Sequence, residues 1–217
     1  MAQQTKCKKN ESINGKNLFG CNDCLEKEYL DGGEQHRVLV VVDMQNDFIT
    51  GTLGNEDCQK VVTSVVNVIE TGNYDQVFLT RDTHGEDYLK TQEGRKLPVI
   101  HTVKNTEGWQ IQKDVMESVM KNYKQEQITV IDKPCFGSEE LADRIGKLGQ
   151  EYPEDGRLTV DFVGVCTDIC VISNVFLTKA AAMNADVRVI EEACAGVTPQ
   201  THRTAIEAMR GCQVEII

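Results

Sequence analysis

An α/β domain built on a six-stranded, mostly parallel sheet with helices on both faces is the fold class this sequence predicts, and three observations predict it. First, RVLVVVD (residues 37–43) is an unbroken β-branched run ending in an acid, the pattern of a strand buried on both faces of a parallel sheet. Second, from about residue 127 onward, strand-like apolar runs alternate with helix-like segments. Third, apolar residues make up 40% and charged residues 26% of 217 residues, the balance of a globular chain long enough to bury a sizeable core.

The elements follow in order. After the first strand, QNDFITGTLGN (45–55) reads as a loop, and 58–71 carries Val61, Val62, Val65, Val66, Val68 and Ile69 at helical spacing. Residues 74–80 form a second strand that runs into RDTH; a long irregular region, 85–108, separates it from a helix beyond Trp109. Strand 127–132 precedes helix 138–148, which Ser138 can cap with Glu139 and Glu140 in the first turn. Strand 157–165 leads into helix 168–183, strand 186–191 into helix 199–210 with Pro199 in its first turn, and 212–217 is the last strand. Residues 1–35, rich in Lys, Asn and Gly, read as a poorly ordered N-terminal extension with a short helix near 23–30, and 36–217 as the functional domain.

Composition excludes several function classes. A balance of 23 basic against 34 acidic residues, net −11, argues against a nucleic-acid or anionic-membrane surface. No run approaches the roughly 18 apolar residues a membrane-spanning helix requires, and no signal peptide is evident, so a cytoplasmic location is expected. The nine cysteines are an odd number in a chain without a secretion signal, which suggests reduced thiols. Cys7, Cys21, Cys24 and His36 could close a small metal site, although their spacing is loose.

Ligands in such folds bind beyond the carboxyl ends of the strands, and that rule gathers the chemistry. Asp43 ends the first strand, RDTH the second and Lys133 the third, while Cys170 follows the fourth in VDFVGVCTDICV (160–171). A cysteine in the first turn of a helix is favoured as thiolate by the helix dipole, which makes Cys170 the candidate nucleophile. Asp43 suits the base that takes the thiol proton and returns it to a leaving amine, and Lys133 the cation that steadies both. Backbone N–H groups of Cys166 and Cys170 could hold a tetrahedral oxyanion. Each residue also has a structural explanation, but three coincidences at three strand ends are harder to accept than one site.

DMQNDF (43–48), DKPCFGS (132–138) and GVCTDICV (164–171) together resemble the isochorismatase-like cysteine hydrolase superfamily, which includes the nicotinamidases. The resemblance covers about residues 37–217 and implies a Rossmann-like three-layer sandwich with an Asp43, Lys133, Cys170 triad. It also implies a non-proline cis peptide at Val165–Cys166 that turns the Cys166 amide toward the oxyanion. Phe48 would contact the substrate, and the chain would form a homo-oligomer, as members of this superfamily commonly do.

Asp82 and His84 stand two apart, so an extended segment points both side chains to one face. With His101 they make a carboxylate and two imidazoles, a donor set for a divalent metal: zinc, with manganese or iron as alternatives. RDTH and PVIHTVKNTEGW are similar to the metal-binding segments of nicotinamidases; Glu93, or failing that Glu86, would complete the set. In that reading the metal positions the ring nitrogen of nicotinamide so that its carboxamide lies over the sulfur.

One departure stands out. Nicotinamidases usually carry an aromatic residue just upstream of the second metal histidine; here that stretch is Leu97, Pro98, Val99, Ile100, and Trp109 reads as core or lid. The expected activity is hydrolysis of nicotinamide or a related small carboxamide through a thioester. Alternatives are another small-amide or carbamoyl hydrolase of the superfamily and a noncatalytic oligomerising member. Vinyl-ether hydrolysis of the isochorismatase type is disfavoured by the metal-like set.

Overall fold

The structure is a computed structural model that describes residues 35–154 and 157–217. The reading of residues 1–35 as an extension, with its short helix and its cysteines Cys7, Cys21 and Cys24, lies outside the described residues apart from position 35. His36, grouped with those cysteines above, stacks on Tyr152 with ring centroids 4.7 Å apart.

Six strands are described: β1 (His36–Val42), β2 (Gln76–Asp82), β3 (Ile128–Lys133), β4 (Leu158–Val165), β5 (Asp186–Ala195) and β6 (Glu215–Ile216). They form one sheet in the order β3-β2-β1-β4-β5-β6, every pairing parallel. The helices are α1 (Asn46–Ile49), α2 (Glu56–Thr71), α3 (Gln92–Lys96), α4 (Lys113–Asn122), α5 (Glu139–Glu151), α6 (Ile172–Ala181) and α7 (Pro199–Gly211). The predicted Rossmann-like three-layer α/β sandwich is the fold observed.

Alternation along β1 explains the layers. Successive strand residues face opposite sides, so Val38, Val40 and Val42 join a core with Leu141 and Ile145 of α5, Val175 of α6 and Met209 of α7. Leu39 and Val41 face the other way, onto Val61 and Val65 of α2 and Val115 and Val119 of α4. Because both faces are covered, β1 carries no polar residue after Arg37, which is why it reads as a continuous apolar run.

Caps set the helix starts where short polar side chains allow. Asn55 accepts from the Cys58 N–H at α2, Ser138 from Leu141 at α5 and Thr198 from Thr201 at α7. Several predicted boundaries moved, helix 168–183 contracting to α6 among them. Strand β5 runs on to Ala195, its pairing with β4 shifting in register between Phe162 and Gly164, and the last strand shrinks to Glu215–Ile216 because Cys212 and Gln213 close the end of α7.

A buried anion fastens the opposite end of the sheet. Asp161 of β4 accepts hydrogen bonds from the Tyr74 hydroxyl (2.9 Å) and from Arg188 (2.6 and 2.8 Å), and pairs with Arg37 at 3.3 Å. That network leaves the carboxyl ends of the strands free for chemistry.

Candidate active site

Strand order decides which groups meet. Reading across β3, β2, β1 and β4, the residues at or just beyond the carboxyl ends are Lys133, Asp82, Asp43 and the Cys166–Cys170 turn. The connections leave β1 toward β2 on one side and run from β3 to β4 on the other, so the crevice between β1 and β4 is a topological switch point. Asp43 and Cys170 flank it.

Lys133 is 1% exposed and reaches over β2. Its Nζ lies 2.6 Å from Asp43 Oδ2, 3.6 Å from Asp82 Oδ1 and 3.7 Å from Cys170 Sγ, and it donates to the Cys135 carbonyl at 3.1 Å. Asp43, wholly buried, takes a left-handed backbone (φ 47°), a conformation Asp tolerates better than most residues. Its Oδ1 accepts from the Thr80 hydroxyl at 2.7 Å. The predicted Asp43, Lys133 and Cys170 are therefore brought together in one dry cluster.

Cys170 lies in a π-helical turn, Thr167–Val171, ahead of α6, and not in the first α-helical turn expected from the sequence. The peptide Val165–Cys166 is cis. The preceding Gly164 has φ 117° and packs so closely on β1 that a Cβ there would meet the Val42 carbonyl at 2.1 Å, so only glycine fits.

Burial corrects the expectation of a standing thiolate. Desolvation, followed by the charge of Asp43, pushes the Cys170 thiol well above its ordinary value, against the opposing pull of Lys133. Burial likewise raises Asp43 against Lys133. For Lys133 burial opposes the charge, but the neighbouring carboxylates, Asp43 first, outweigh it and hold the ammonium above its ordinary range. Lys133 Nζ thus lies within 3.7 Å of both the Asp43 carboxyl and the Cys170 sulfur.

The second cluster begins where the first ends, on Asp82. Its Oδ2 accepts from the Thr102 hydroxyl at 2.9 Å and lies 2.9 Å from His84 Nε2 and 3.5 Å from His101 Nε2. Ligand-type atoms of Asp82, His84 and His101 all fall within 4.8 Å of one another. Glu93, from α3, brings Oε1 to 3.5 Å from His84 Nε2 and 3.9 Å from His101 Nε2, whereas Glu86 is exposed and makes none of these contacts. Burial works against the Asp82 charge, but His101, His84 and Lys133 outweigh it and hold the carboxyl far below its usual range.

These residues fit a divalent cation. His84 Nε2 and Glu93 Oε1 are buried without a hydrogen-bond partner, which is costly unless something else satisfies them. The His101 Nδ1 lies 2.7 Å from the Val99 carbonyl, the contact that fixes a ring so that Nε2 is presented as a ligand.

Several positioning residues went unread in the sequence. Gln45 grips the Asp82 backbone, Oε1 accepting its N–H at 2.7 Å and Nε2 donating to its carbonyl at 2.8 Å. Asp47 accepts the Thr102 N–H at 2.7 Å. Both lie in the DMQNDF motif and were legible only as loop. Tyr88 packs its ring 4.5 Å from His84 and 4.9 Å from His101. Trp109 is buried, donates to Thr83 Oγ1 at 2.8 Å and lies under Arg81, so it is core.

A cavity of about 260 Å³ opens onto Cys170, Asp82, Glu93 and His101. Its walls are largely apolar, with Phe48, Leu97 and Phe136 among them, and Cys166 and Ile169 line it from the Cys166–Cys170 turn. That volume lies below the range of roughly 300–1,000 Å³ for drug-sized ligands, so the occupant is small.

Residues 37–217 match the isochorismatase domain family. The chain belongs to that family. Within the isochorismatase family it is 26% identical to the nicotinamidase of Schizosaccharomyces pombe, over 84% of this chain and 93% of that one. It is also 26% identical to the nicotinamidase/pyrazinamidase of Mycobacterium tuberculosis, over 83% of this chain and 98% of that one. Among solved structures, the fold matches the pyrazinamidase of Pyrococcus horikoshii in complex with zinc, with TM-score 0.64, 24% identity and coverage of 84% and 98%. It matches the pyrazinamidase/nicotinamidase of Streptococcus mutans UA159 with TM-score 0.68, 22% identity and coverage of 83% and 99%.

Two outcomes follow from the geometry. Adding zinc or manganese to chelator-treated protein is expected to raise the unfolding temperature in a dose-dependent way, through binding to the folded state alone; the His84→Ala, His101→Ala double variant should lose that shift. In the chelated protein, alkylation of Cys170 by iodoacetamide, followed site by site by mass spectrometry, should be slow at neutral pH. A raised thiol pKa keeps the proton until higher pH, so the rate should still climb beyond the ordinary thiol value of 9.0. A plateau reached by about pH 7 would contradict this assignment.

Proposed function

We propose that this protein is a metal-dependent cysteine amidohydrolase that converts nicotinamide, or a closely related small carboxamide, to its acid and ammonia. The observation that carries the reading is Lys133, whose buried ammonium lies within reach of both the Asp43 carboxylate and the Cys170 sulfur beside a small, largely apolar cavity. A base, a cation and a thiol in that arrangement are the parts that acyl transfer from an amide requires. The similarity to nicotinamidases and pyrazinamidases supports the amide as the bond cleaved.

In the proposed sequence Asp43 takes the Cys170 proton as sulfur bonds to the carboxamide carbon and the carbonyl electrons move onto oxygen. The backbone amides of Cys166 and Cys170 hold that oxyanion. As the C–N bond breaks, Asp43 returns the proton to the departing ammonia. Water then adds to the thioester, losing a proton to Asp43, and the acid leaves with the thiol restored. Lys133 stays protonated throughout and holds Asp43 in line. Asp82, His84, His101 and Glu93 would hold a divalent ion, zinc being favoured by the two imidazoles among the donors and by the zinc complex of the Pyrococcus horikoshii relative. Such an ion would supply a Lewis-acidic anchor for a ring nitrogen of the substrate.

A second reading, hydrolysis of a non-pyridine amide, is favoured by one feature: Leu97, an aliphatic side chain, lines the cavity upstream of His101.

Ammonia release from nicotinamide, pyrazinamide and a panel of small amides, with and without chelator, separates these readings. Wild-type protein is expected to turn over nicotinamide and to lose activity on chelation. Cys170→Ala should fall by at least about a thousandfold, and quenched wild-type reactions should carry an acyl adduct on Cys170. Release without an adduct, or indifference to chelator, would remove the thioester or the metal from the mechanism.

A further inference from the structure

We propose that Cys166 and Cys58 form a reversible oxidative modification site, a thiol pair that a peroxide joins into a disulfide at the wall of the cavity that holds Cys170. The proposed hydrolysis engages the backbone amide of Cys166 and neither of these thiols. Cys166 is half-buried and lines the cavity, so a small oxidant that enters the cavity reaches its sulfur. Cys58 is wholly buried in the first turn of α2. Its N–H donates to the side chain of Asn55 at 2.8 Å, and Asn55 lines the same cavity. The two thiols face each other within hydrogen-bonding reach, and Cys166 packs against the core cluster that contains Cys58.

The other described cysteines near this region are held elsewhere. Cys170 acts on Cys166 only through charge; its sulfur lies 3.7 Å from Lys133. Asn174 of α6 donates to the Cys170 carbonyl at 2.8 Å and to that of Phe136 at 3.1 Å, which fixes the backbone that carries this sulfur. Cys194 meets the Phe162 carbonyl and Cys135 the Gly137 carbonyl.

Contact also divides the roles. The Cys166 thiol, outweighing burial, holds Cys58 below its ordinary value, which suits Cys58 to attack an oxidised sulfur beside it. The same contact, with burial, raises Cys166, so its first oxidation is slow compared with that of an exposed thiol. In that first step the Cys166 sulfur bonds to one peroxide oxygen, the O–O bond breaks and water leaves, giving a sulfenic acid. The Cys58 sulfur then bonds to the Cys166 sulfur as the S–O bond breaks, and the hydroxyl departs with the Cys58 proton as a second water. The two thiols thus give two electrons to one peroxide. A sulfenic acid without a partner thiol goes on to sulfinic acid, which thiols do not reverse; with Cys58 beside it, oxidation stops at a bond that a reductant reopens.

The test treats the full chain, reduced and then freed of reductant, with hydrogen peroxide, and maps its thiols by non-reducing digestion and mass spectrometry. A covalent readout decides the proposal whether or not nicotinamide is hydrolysed. The expected product is a peptide linking Cys58 to Cys166 that dithiothreitol returns to free thiols. In Cys58→Ala that peptide should vanish and dithiothreitol-resistant sulfinic acid on Cys166 should rise about tenfold; Cys58→Ser, closer in size, should do the same. A Cys166–Cys170 linkage in its place, or sulfinic acid on Cys166 of the wild type with Cys58 still free, would overturn the proposal. So would a wild type in which both thiols stay reduced while the exposed Cys135 and Cys212 are oxidised.

Discussion

The ion pair between Lys133 and Asp43, 2.6 Å long and shut away from solvent, is the interaction on which the rest of the site depends. A buried lysine is tolerable only if its charge is answered. Here the answer comes from the strand ends: Asp43 in contact, Asp82 at 3.6 Å and the Cys135 carbonyl at 3.1 Å. That demand fixes the ends of β1, β2 and β3 relative to one another. It also brings the Cys170 sulfur to 3.7 Å from the same ammonium.

Asp82 joins two kinds of chemistry. One carboxylate oxygen faces Lys133 and the other faces His84 and His101, so the nucleophile cluster and the ligand-type cluster share a residue across a single strand. Gln45 and Thr102 hold that residue by its backbone and its Oδ2, which gives the DMQNDF loop a structural task beyond supplying Asp43. The parallel sheet makes this economical. Neighbouring strands end at the same edge, and side chains drawn from β3, β2, β1 and the turn after β4 need only reach sideways.

Much of this was legible in the sequence, for physical reasons. Strands buried on both faces, such as β1 and β4, announce themselves as β-branched runs, and the polar residue that ends each run marks the edge where chemistry can sit. Asp43, Asp82, Lys133 and Cys170 were readable in that way. Glu93 was selected for its closeness in sequence to His101, and the structure brings it to both histidines through α3, a helix of five residues within a stretch read as irregular. What could not be read was geometry that depends on packing. The π-helical turn at Cys170 and the close approach of Gly164 to Val42 are of this kind, and no local pattern encodes either. The direction of the thiol pKa turned on a competition between burial and the Lys133 ammonium, and only the fold shows that burial wins. Gln45 and Asn174 were invisible for a similar reason: an amide in a loop or on a helix gives no sign of which distant carbonyl it will meet.

The central claim is that Lys133 and Asp43 act as one unit. Amide-hydrolysis rates of Asp43→Asn, Lys133→Met and the double variant close a cycle that tests it directly. Two groups that work only together should give a double variant hardly slower than the worse single one, because the first removal already disables the pair. Losses that multiply would mean that the two residues contribute independently, and would contradict the account.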